Sequence, residues 1–411
     1  MMPIESGKRV SGFKESVTLK LNAQAVKLSE EGNEIFNLTA GQLPFKPDQF
    51  LVDKIISECN FLSSFQYAPV TGNNELKEKV LNRFHVDNQS IDSDLGCIIS
   101  NGAKQSISNI LCALINPGDE VIVFTPYWVS YRPLIELFGG VVKEVESDFF
   151  DGFQPDLDFL GKVITSNTKA VIVNSPSNPS GVIYSDEWME GFANLMKKFP
   201  QTVIISDEIY RDLYYYDPIP KYFYHFAPEL IEQTLIINGV SKSMASTGLR
   251  IGWAIGPKGF ISTLSKLQGQ LTSGANSLVQ SALVEYDFKK VSDYLGPVKK
   301  HLRENLKVLR DTFKSSGLSH KWYQSRGAFY FILDFNKLPI HNRFANNDSD
   351  TKDYGNEICE LILKQKGVAC VPGGDFGLKN CARISLVSNQ NDFIEAINRL
   401  VEIIQEEPRS I

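Results

Sequence analysis

Between residues 95 and 257 the chain alternates between two textures. Short apolar runs rich in β-branched residues recur: "GCIIS" (96–100), "EVIVF" (120–124), "KAVIVN" (169–174), "TVIIS" (202–206), "TLIIN" (234–238) and "RIGWAIG" (250–256). Helix-like stretches separate several of them. In "AKQSISNILCALI" (103–115), Ile107, Ile110, Leu111 and Leu114 fall at i, i+3, i+4 and i+7, the spacing of one buried helical stripe. "VSYRPLIELFG" (129–139) and "DEWMEGFANLMKKF" (186–199) read the same way. Strands that are apolar on both faces must be covered on both faces. Their alternation with helices therefore predicts an α/β fold with a mostly parallel sheet flanked by helices.

The rest of the chain divides around that block. Residues 1–45 form a polar, lysine-containing arm with one amphipathic piece, "KLNAQAVKLSEEG", and are expected to contribute to a smaller domain. Residues 46–290 are expected to form the large domain. From about Asp287 helical stretches such as "HLRENLKVLRDTF" dominate. They are followed by strand-like "AFYFILD", "GVACV" and "ARISLV" and a final helix, "NDFIEAINRLVEIIQEE". Residues 291–411 thus read as a smaller α+β unit. The polar stretch "HNRFANNDSDTKD" (341–353) reads as a solvated surface excursion.

Composition excludes several function classes. With 411 residues, 43% of them hydrophobic, the chain can bury a large core. A formal net charge of −6 argues against nucleic acid, whose phosphates require a basic face. No apolar run has the length of a membrane span, and a cytoplasmic location is expected. The six cysteines show no C-x-x-C and the five histidines no H-x-x-x-H, so no metal site is expected.

In open parallel sheets ligands bind beyond the carboxyl ends of the strands, and the chemically interesting residues of this chain fall there. After "GCIIS" comes "NGAK", in which Gly102 permits close backbone approach. The next helix offers the N–H groups of Ala103 and Lys104, and Lys104 adds charge. After "EVIVF" comes "TPYW" with Trp128, and after "KAVIVN" comes "SPSNPSG" with Asn178. After "TVIIS" come Asp207, Glu208 and Tyr210, and after "TLIIN" come Lys242 and then Arg250. Each has a plain alternative. Gly102 would serve a strand-to-helix turn, Trp128 a core, Asn178 a turn, Asp207 a helix cap and Arg250 a surface ion pair.

Their joint placement has a chemical meaning. A lysine amine forms an imine with a carbonyl cofactor. A phosphate cradle with an arginine holds a phosphorylated ligand. A carboxylate keeps a pyridine nitrogen protonated, an indole fixes the ring plane, and an amide with a phenol holds a phenolate oxygen. Pyridoxal 5'-phosphate uses all of these.

The chain resembles the class I/II aminotransferases of the aspartate aminotransferase superfamily, the fold type I enzymes. The motifs that carry the resemblance are "NLTAGQLPF", "FQYAPVTGNNELK", "SNGAKQSISN", "NPGDEVIVFTPYWVSY", "NSPSNPSG", "SDEIY", "NGVSKSMASTGLRIGWAIG", "GAFY", "VPGGDFG" and "ARISL". In order, they cover the chain from about Asn37 to Leu386. The resemblance implies transfer of an amino group between an L-amino acid and a 2-oxo acid by a ping-pong mechanism through a Lys242 Schiff base. Asp207 would pair with the pyridine nitrogen, Tyr210 and Asn178 would contact the ring oxygen, and Trp128 would stack on the ring. Gly102, Ala103, Lys104, Ser241 and Arg250 would surround the phosphate. Tyr67 would reach the phosphate of a partner subunit in a homodimer with shared sites. Arg383 would grip the substrate α-carboxylate, and Gly41 would sit in the loop that closes over the substrate, against Trp128 and Asn178.

The chain departs from the family pattern in three places. Asp375 stands in "VPGGDFG" and Arg326 in "SRGAFY", and their roles stay open. "QLTSGANSLVQ" lacks the arginine that binds the substrate side-chain carboxylate in the aspartate-specific branch. Lyases that eliminate from the same cofactor share the scaffold and remain the alternative, with a non-catalytic binding protein behind them. A dinucleotide-binding G-x-G-x-x-G and a P-loop are both absent.

Overall fold

The computed structural model describes residues 7, 9–10, 17–88, 91, 94–147, 149, 152–318, 322–336, 338–344 and 352–406. Twelve strands are present among them: β1 (Phe36–Asn37), β2 (Leu95–Ser100), β3 (Glu120–Phe124), β4 (Val141–Val145), β5 (Thr168–Asn174), β6 (Val203–Asp207), β7 (Thr234–Gly239), β8 (Gly252–Pro257), β9 (Tyr330–Asp334), β10 (Val368–Ala369), β11 (Val371–Pro372) and β12 (Cys381–Ser385). The expected α/β architecture is the one observed.

Seven strands form the large sheet in the order β2-β8-β7-β6-β5-β3-β4. The pairs among β3 to β7 are parallel, whereas β8 pairs antiparallel with both β7 and β2. The reversal of β8 follows from its connection. Residues 240–251 hold only the four-residue helix Val240–Ser243 and a 3-10 turn, so the chain turns back at the same edge of the sheet. Strand alternation sends Val121 and Val123 of β3 to one face, where they pack with Ile107, Ile110 and Leu111 of helix Ala103–Leu114. Ile122 and Phe124 point to the other face, where they join Trp188 and Phe192 of helix Asp186–Met196.

Patterning alone does not single out β4. It is an edge strand with the sequence "VVKEV", and the adjacent Lys143 and Glu144 interrupt both the apolar run and the alternation.

The second sheet is antiparallel, in the order β11-β12-β9. It packs with the helices Lys290–Ser315, Gly355–Lys366 and Gln390–Gln405. The two chain ends meet there: β1 runs parallel to β10, and Ser385 N donates to Leu38 O at 2.9 Å. Of the polar stretch 341–353, residues 345–351 lie outside the described residues.

Helix Lys290–Ser315 buries Val291, Leu295, Val298, Leu302, Leu306, Leu309 and Phe313, a stripe at steps of three and four that also takes in Asn305. Asn305 Nδ2 donates to Leu386 O at 2.9 Å and Ser388 O at 2.8 Å, which ties this helix to the chain leaving β12. Leu302 is wholly buried in that stripe. Leu302→Ala should lower unfolding stability by about 2–5 kcal/mol, read by urea denaturation, because the helix cannot collapse into the cavity it leaves.

Candidate active site

The parallel strands end at one edge, and a cavity of about 920 Å³ opens there. Its wall includes Gly41, Ala103, Lys104, Trp128, Asn178, Asp207, Tyr210, Ser241, Lys242, Arg250 and Arg383. Of the residues that the resemblance places at the site, two do not line it. Gly102 sits behind the wall, and Tyr67 stands 94% exposed outside it.

Lys242 lies in the short helix that opens directly after β7. It is half-buried, and its ammonium donates to Gly41 O at 2.6 Å. Burial, with Arg383 and Arg250 nearby, pulls its pKa down to about 8 against the opposing attraction of Asp207. A substantial neutral amine fraction therefore exists close to neutral pH.

Asp207, the last residue of β6, is buried. Its Oδ2 accepts the Tyr131 hydroxyl at 2.6 Å and its Oδ1 accepts the Ile209 N–H at 3.2 Å. Burial raises its pKa to about 6, although both hydrogen bonds and Lys242 oppose the rise. The amide of Asn174 ties two loops together. Its Nδ2 donates to Asp207 O at 2.9 Å, and its Oδ1 accepts the Asn178 N–H at 2.9 Å.

Arg383 comes from β12, on the other sheet, and its guanidinium is buried. Nη1 donates to Asn178 Oδ1 at 3.1 Å and Nη2 to Thr39 O at 3.0 Å, while Nε has no hydrogen-bond partner among the described residues. The Tyr330 ring lies 4.3 Å from the guanidinium carbon, and the Tyr330 hydroxyl is 3.2 Å from that of Tyr210.

An anion nest forms the opposite wall. Helix Ala103–Leu114 has no side-chain cap at its N-terminus, so its first N–H groups face outward. Gly102 has φ +88, and a Cβ there would stand 2.6 Å from Arg250 Nη2, so only glycine lets that guanidinium approach. Arg250 donates to Thr247 O at 2.8 Å and to Asn101 O at 3.3 Å. The Lys104 ammonium lies 4.9 Å from the Trp128 ring centroid. Its pKa is lowered by burial first and then by Arg250.

The family described as aminotransferase class I and II matches residues 33–400. The chain belongs to this aminotransferase family. An aspartate/prephenate aminotransferase of Thermus thermophilus is 32% identical over 402 residues, covering 97% of this chain and 98% of that one. An aspartate aminotransferase of Thermotoga maritima is 34% identical over 399 residues, with the same coverage. The solved structure of aspartate aminotransferase from Thermus thermophilus with maleate superposes with a TM-score of 0.87 at 32% identity, covering 98% of this chain and 100% of that one. The aminotransferase depends on pyridoxal phosphate, and the donor set fits that group. An uncapped helix end and an arginine would suit a phosphate, a carboxylate and an indole would suit a ring, and an amine would suit an aldehyde.

The structure also adds residues that the sequence pattern did not single out as part of the site. Tyr131 follows Trp128 by three residues, the step that returns a helical turn to the same side, and was visible only as the last letter of "YWVSY". Thr39, Asn174 and Tyr330 are joined to the site by hydrogen bonds that no local pattern announces. Asp375 lines the cavity. Arg326 does not, and its backbone is held between Tyr215 and Gly181.

Because burial raises the Asp207 pKa from its ordinary 3.8 to about 6, the folded chain binds that proton more tightly than the unfolded chain. The associated stability is present below about pH 4 and lost as pH rises through about 6. In the cofactor-free protein at pH 8, Asp207→Asn should therefore raise stability by about 3 kcal/mol, the equivalent of about two pKa units. At pH 4 the two proteins should melt together. Thermal melts at both pH values check this.

Proposed function

We propose that this aminotransferase moves the amino group of a dicarboxylic L-amino acid to a 2-oxo acid, in two half-reactions within one cavity. The supporting observation is the meeting there of a half-buried amine of lowered proton affinity, a buried carboxylate, and a buried arginine fork with an unpartnered Nε–H. The relatives named above carry aminotransferase names, so elimination is not favoured.

Bound, pyridoxal phosphate supplies an aldehyde for the amine and a protonated ring that accepts the electron pair of a broken Cα bond. The residues of the chain would do the rest. Asp207 faces the ring nitrogen, Asn178 and Tyr210 face the ring oxygen, and Trp128 covers one ring face. Ala103, Ser241 and Arg250 hold the phosphate, with Gly102 making room for the arginine. Arg383 grips the α-carboxylate with a fork already aimed by Thr39 and Asn178, so little is lost in ordering it. Lys242 Nζ takes the proton from the substrate Cα and returns it. The Gly41 loop, which Lys242 touches, covers the site and keeps water out.

A second substrate carboxylate needs a second cation. Arg132 also lines the cavity but is bound to Glu136 and Glu144. Lys104 lies over an indole with no carboxylate bound to it among the described residues, and we assign it to the distal carboxylate at the edge of the phosphate nest. The names of the relatives and the maleate of one solved structure support this substrate class. In stopped-flow absorbance with a panel of amino acids, dicarboxylic donors should react fastest. Lys104→Met should reduce kcat/KM for them by about tenfold or more and spare monocarboxylic donors, and equal losses would remove the assignment. Lys242→Ala should show no turnover with any of them.

A homodimer with shared sites is part of the same proposal. Tyr67 stands beside exposed Phe61, Leu62 and Phe65, a concentration of apolar surface that favours covering by a second copy. Among the described residues no disulfide is formed, which suits a reducing compartment and supports a cytoplasmic location. Among the described residues no helix is long and apolar enough to cross a membrane. Tyr67→Phe chains alone should hold the cofactor weakly, and Lys242→Ala chains alone should be inactive. Mixed at limiting cofactor, they should regain activity per functional lysine beyond the Tyr67→Phe dimer, because one hybrid site is intact. Absence of that gain in verified mixed dimers, or an active monomer in sedimentation, would refute the shared site.

A further inference from the structure

The geometry points to Tyr131 as the positioning residue that keeps Asp207 ionised, so that the proton shared between Asp207 and the cofactor resides on the ring nitrogen. This rests on the reading that Asp207 faces that nitrogen.

Asp207 has two oxygens, and each is already accepting: Oδ2 from the Tyr131 hydroxyl at 2.6 Å, and Oδ1 from the Ile209 N–H at 3.2 Å. A carboxylate with both oxygens accepting is oriented and favoured in its charged form. The Tyr131 bond is short, buried, and donated to a charge, the conditions under which a hydrogen bond is strongest. The direction of donation is set by burial, which pushes the Tyr131 phenol far above its ordinary pKa and keeps its proton in place.

The remaining groups around Asp207 do not replace this bond. Lys242 favours the charge, but its own charge changes during the proposed reaction. Glu208 is the next residue, buried, and hydrogen-bonded to Ser206 at 2.8 Å and Tyr224 at 2.8 Å. Its charge opposes ionisation of its neighbour. Tyr210 is buried and turned toward Tyr330. Among the described residues, Tyr131 is thus the one side chain that donates a hydrogen bond to the Asp207 carboxylate without belonging to the reaction.

The consequence concerns where a proton lies. A carboxylate and a pyridine nitrogen share one proton, and it goes to the stronger base. Burial makes the Asp207 carboxylate a stronger base, which would draw the proton off the ring. The Tyr131 hydroxyl weakens that base and returns the proton to the ring.

Tyr131→Phe removes one oxygen and keeps the ring that meets Trp128 edge-on, at 5.4 Å between centroids and 85° between planes. In cofactor-free protein carrying ¹³C-labelled aspartate, with Asp207→Asn to assign the signal, the Asp207 titration midpoint should rise by about one to two pH units. That is a ten- to hundredfold gain in proton affinity. An unchanged midpoint overturns the proposal whatever the cofactor does. If Tyr131→Phe fails to fold, 3-fluorotyrosine at position 131 makes the same test with opposite sign. Its more acidic phenol should lower the midpoint, and no change again overturns the proposal.

With ¹⁵N-labelled cofactor bound, Asp207→Asn should move the ring nitrogen shift to the unprotonated value, and Tyr131→Phe should move it part of the way. If Asp207→Asn leaves the shift unchanged, the facing of Asp207 to the ring is wrong. If Asp207→Asn moves the shift and Tyr131→Phe does not, the role of Tyr131 is wrong. In Asp207→Asn the further change Tyr131→Phe should add nothing, whereas a role in packing alone would add its own effect.

Discussion

The common direction of the strands is the constraint on which the rest depends. Because β2, β3, β5, β6 and β7 all end at one edge of the sheet, every loop that leaves them there enters the same crevice. The reversal of β8 completes the arrangement. Its first residues lie at that edge, so Arg250, just before it, reaches back to Asn101 beyond β2. Residues some 150 positions apart along the chain therefore form one anion nest. The bond of Arg383 to Thr39 O brings the second sheet and the N-terminal segment onto the opposite wall.

The site is a place of stored instability. It holds a buried carboxylate whose pKa is raised to about 6, an amine pulled down to about 8, and a buried guanidinium with one unpartnered N–H. Each costs free energy in the cofactor-free chain, because water has been removed and the protein supplies only part of the compensation. The large sheet, apolar on both faces, offsets that cost. Partial compensation also fits the proposed chemistry: groups left short of partners would bind the phosphate, the ring and the carboxylates of their ligands. The proposed task of Tyr131 belongs to the same pattern, since it supplies enough stabilisation to hold Asp207 charged while leaving it able to take a partner.

Specificity is distributed differently from the cofactor chemistry. Lys242, Asp207, Asn178 and Tyr210 sit at strand ends of one sheet, where the backbone ladder holds them. Lys104, proposed to read the substrate, lies in the first turn of helix Ala103–Leu114, and Asp375 lies in the turn after β11.

Strand order along the chain, the two-faced apolar runs and the residues just past each strand were all legible in the sequence. Local patterning decides them: a run such as "KAVIVN" can be buried only as a covered strand, and the residues just after it must lie at a strand end. Patterning of this kind reached Lys242, Asp207, Asn178, Trp128, Lys104 and Arg250, and the resemblance to known motifs added Arg383 and Gly41. The edge strand β4 was not legible, because the adjacent Lys143 and Glu144 interrupt both its apolar run and its alternation. Nor were the contacts of Tyr131 with Asp207, of Asn174 with two loops, or of Thr39 with Arg383. These are separated by up to 344 positions and depend on how sheets and loops are stacked, which no local periodicity encodes. Tertiary structure alone decided which of the cavity cations are neutralised by carboxylates and which are left for a ligand, because charge pairing is a matter of distances of a few ångströms.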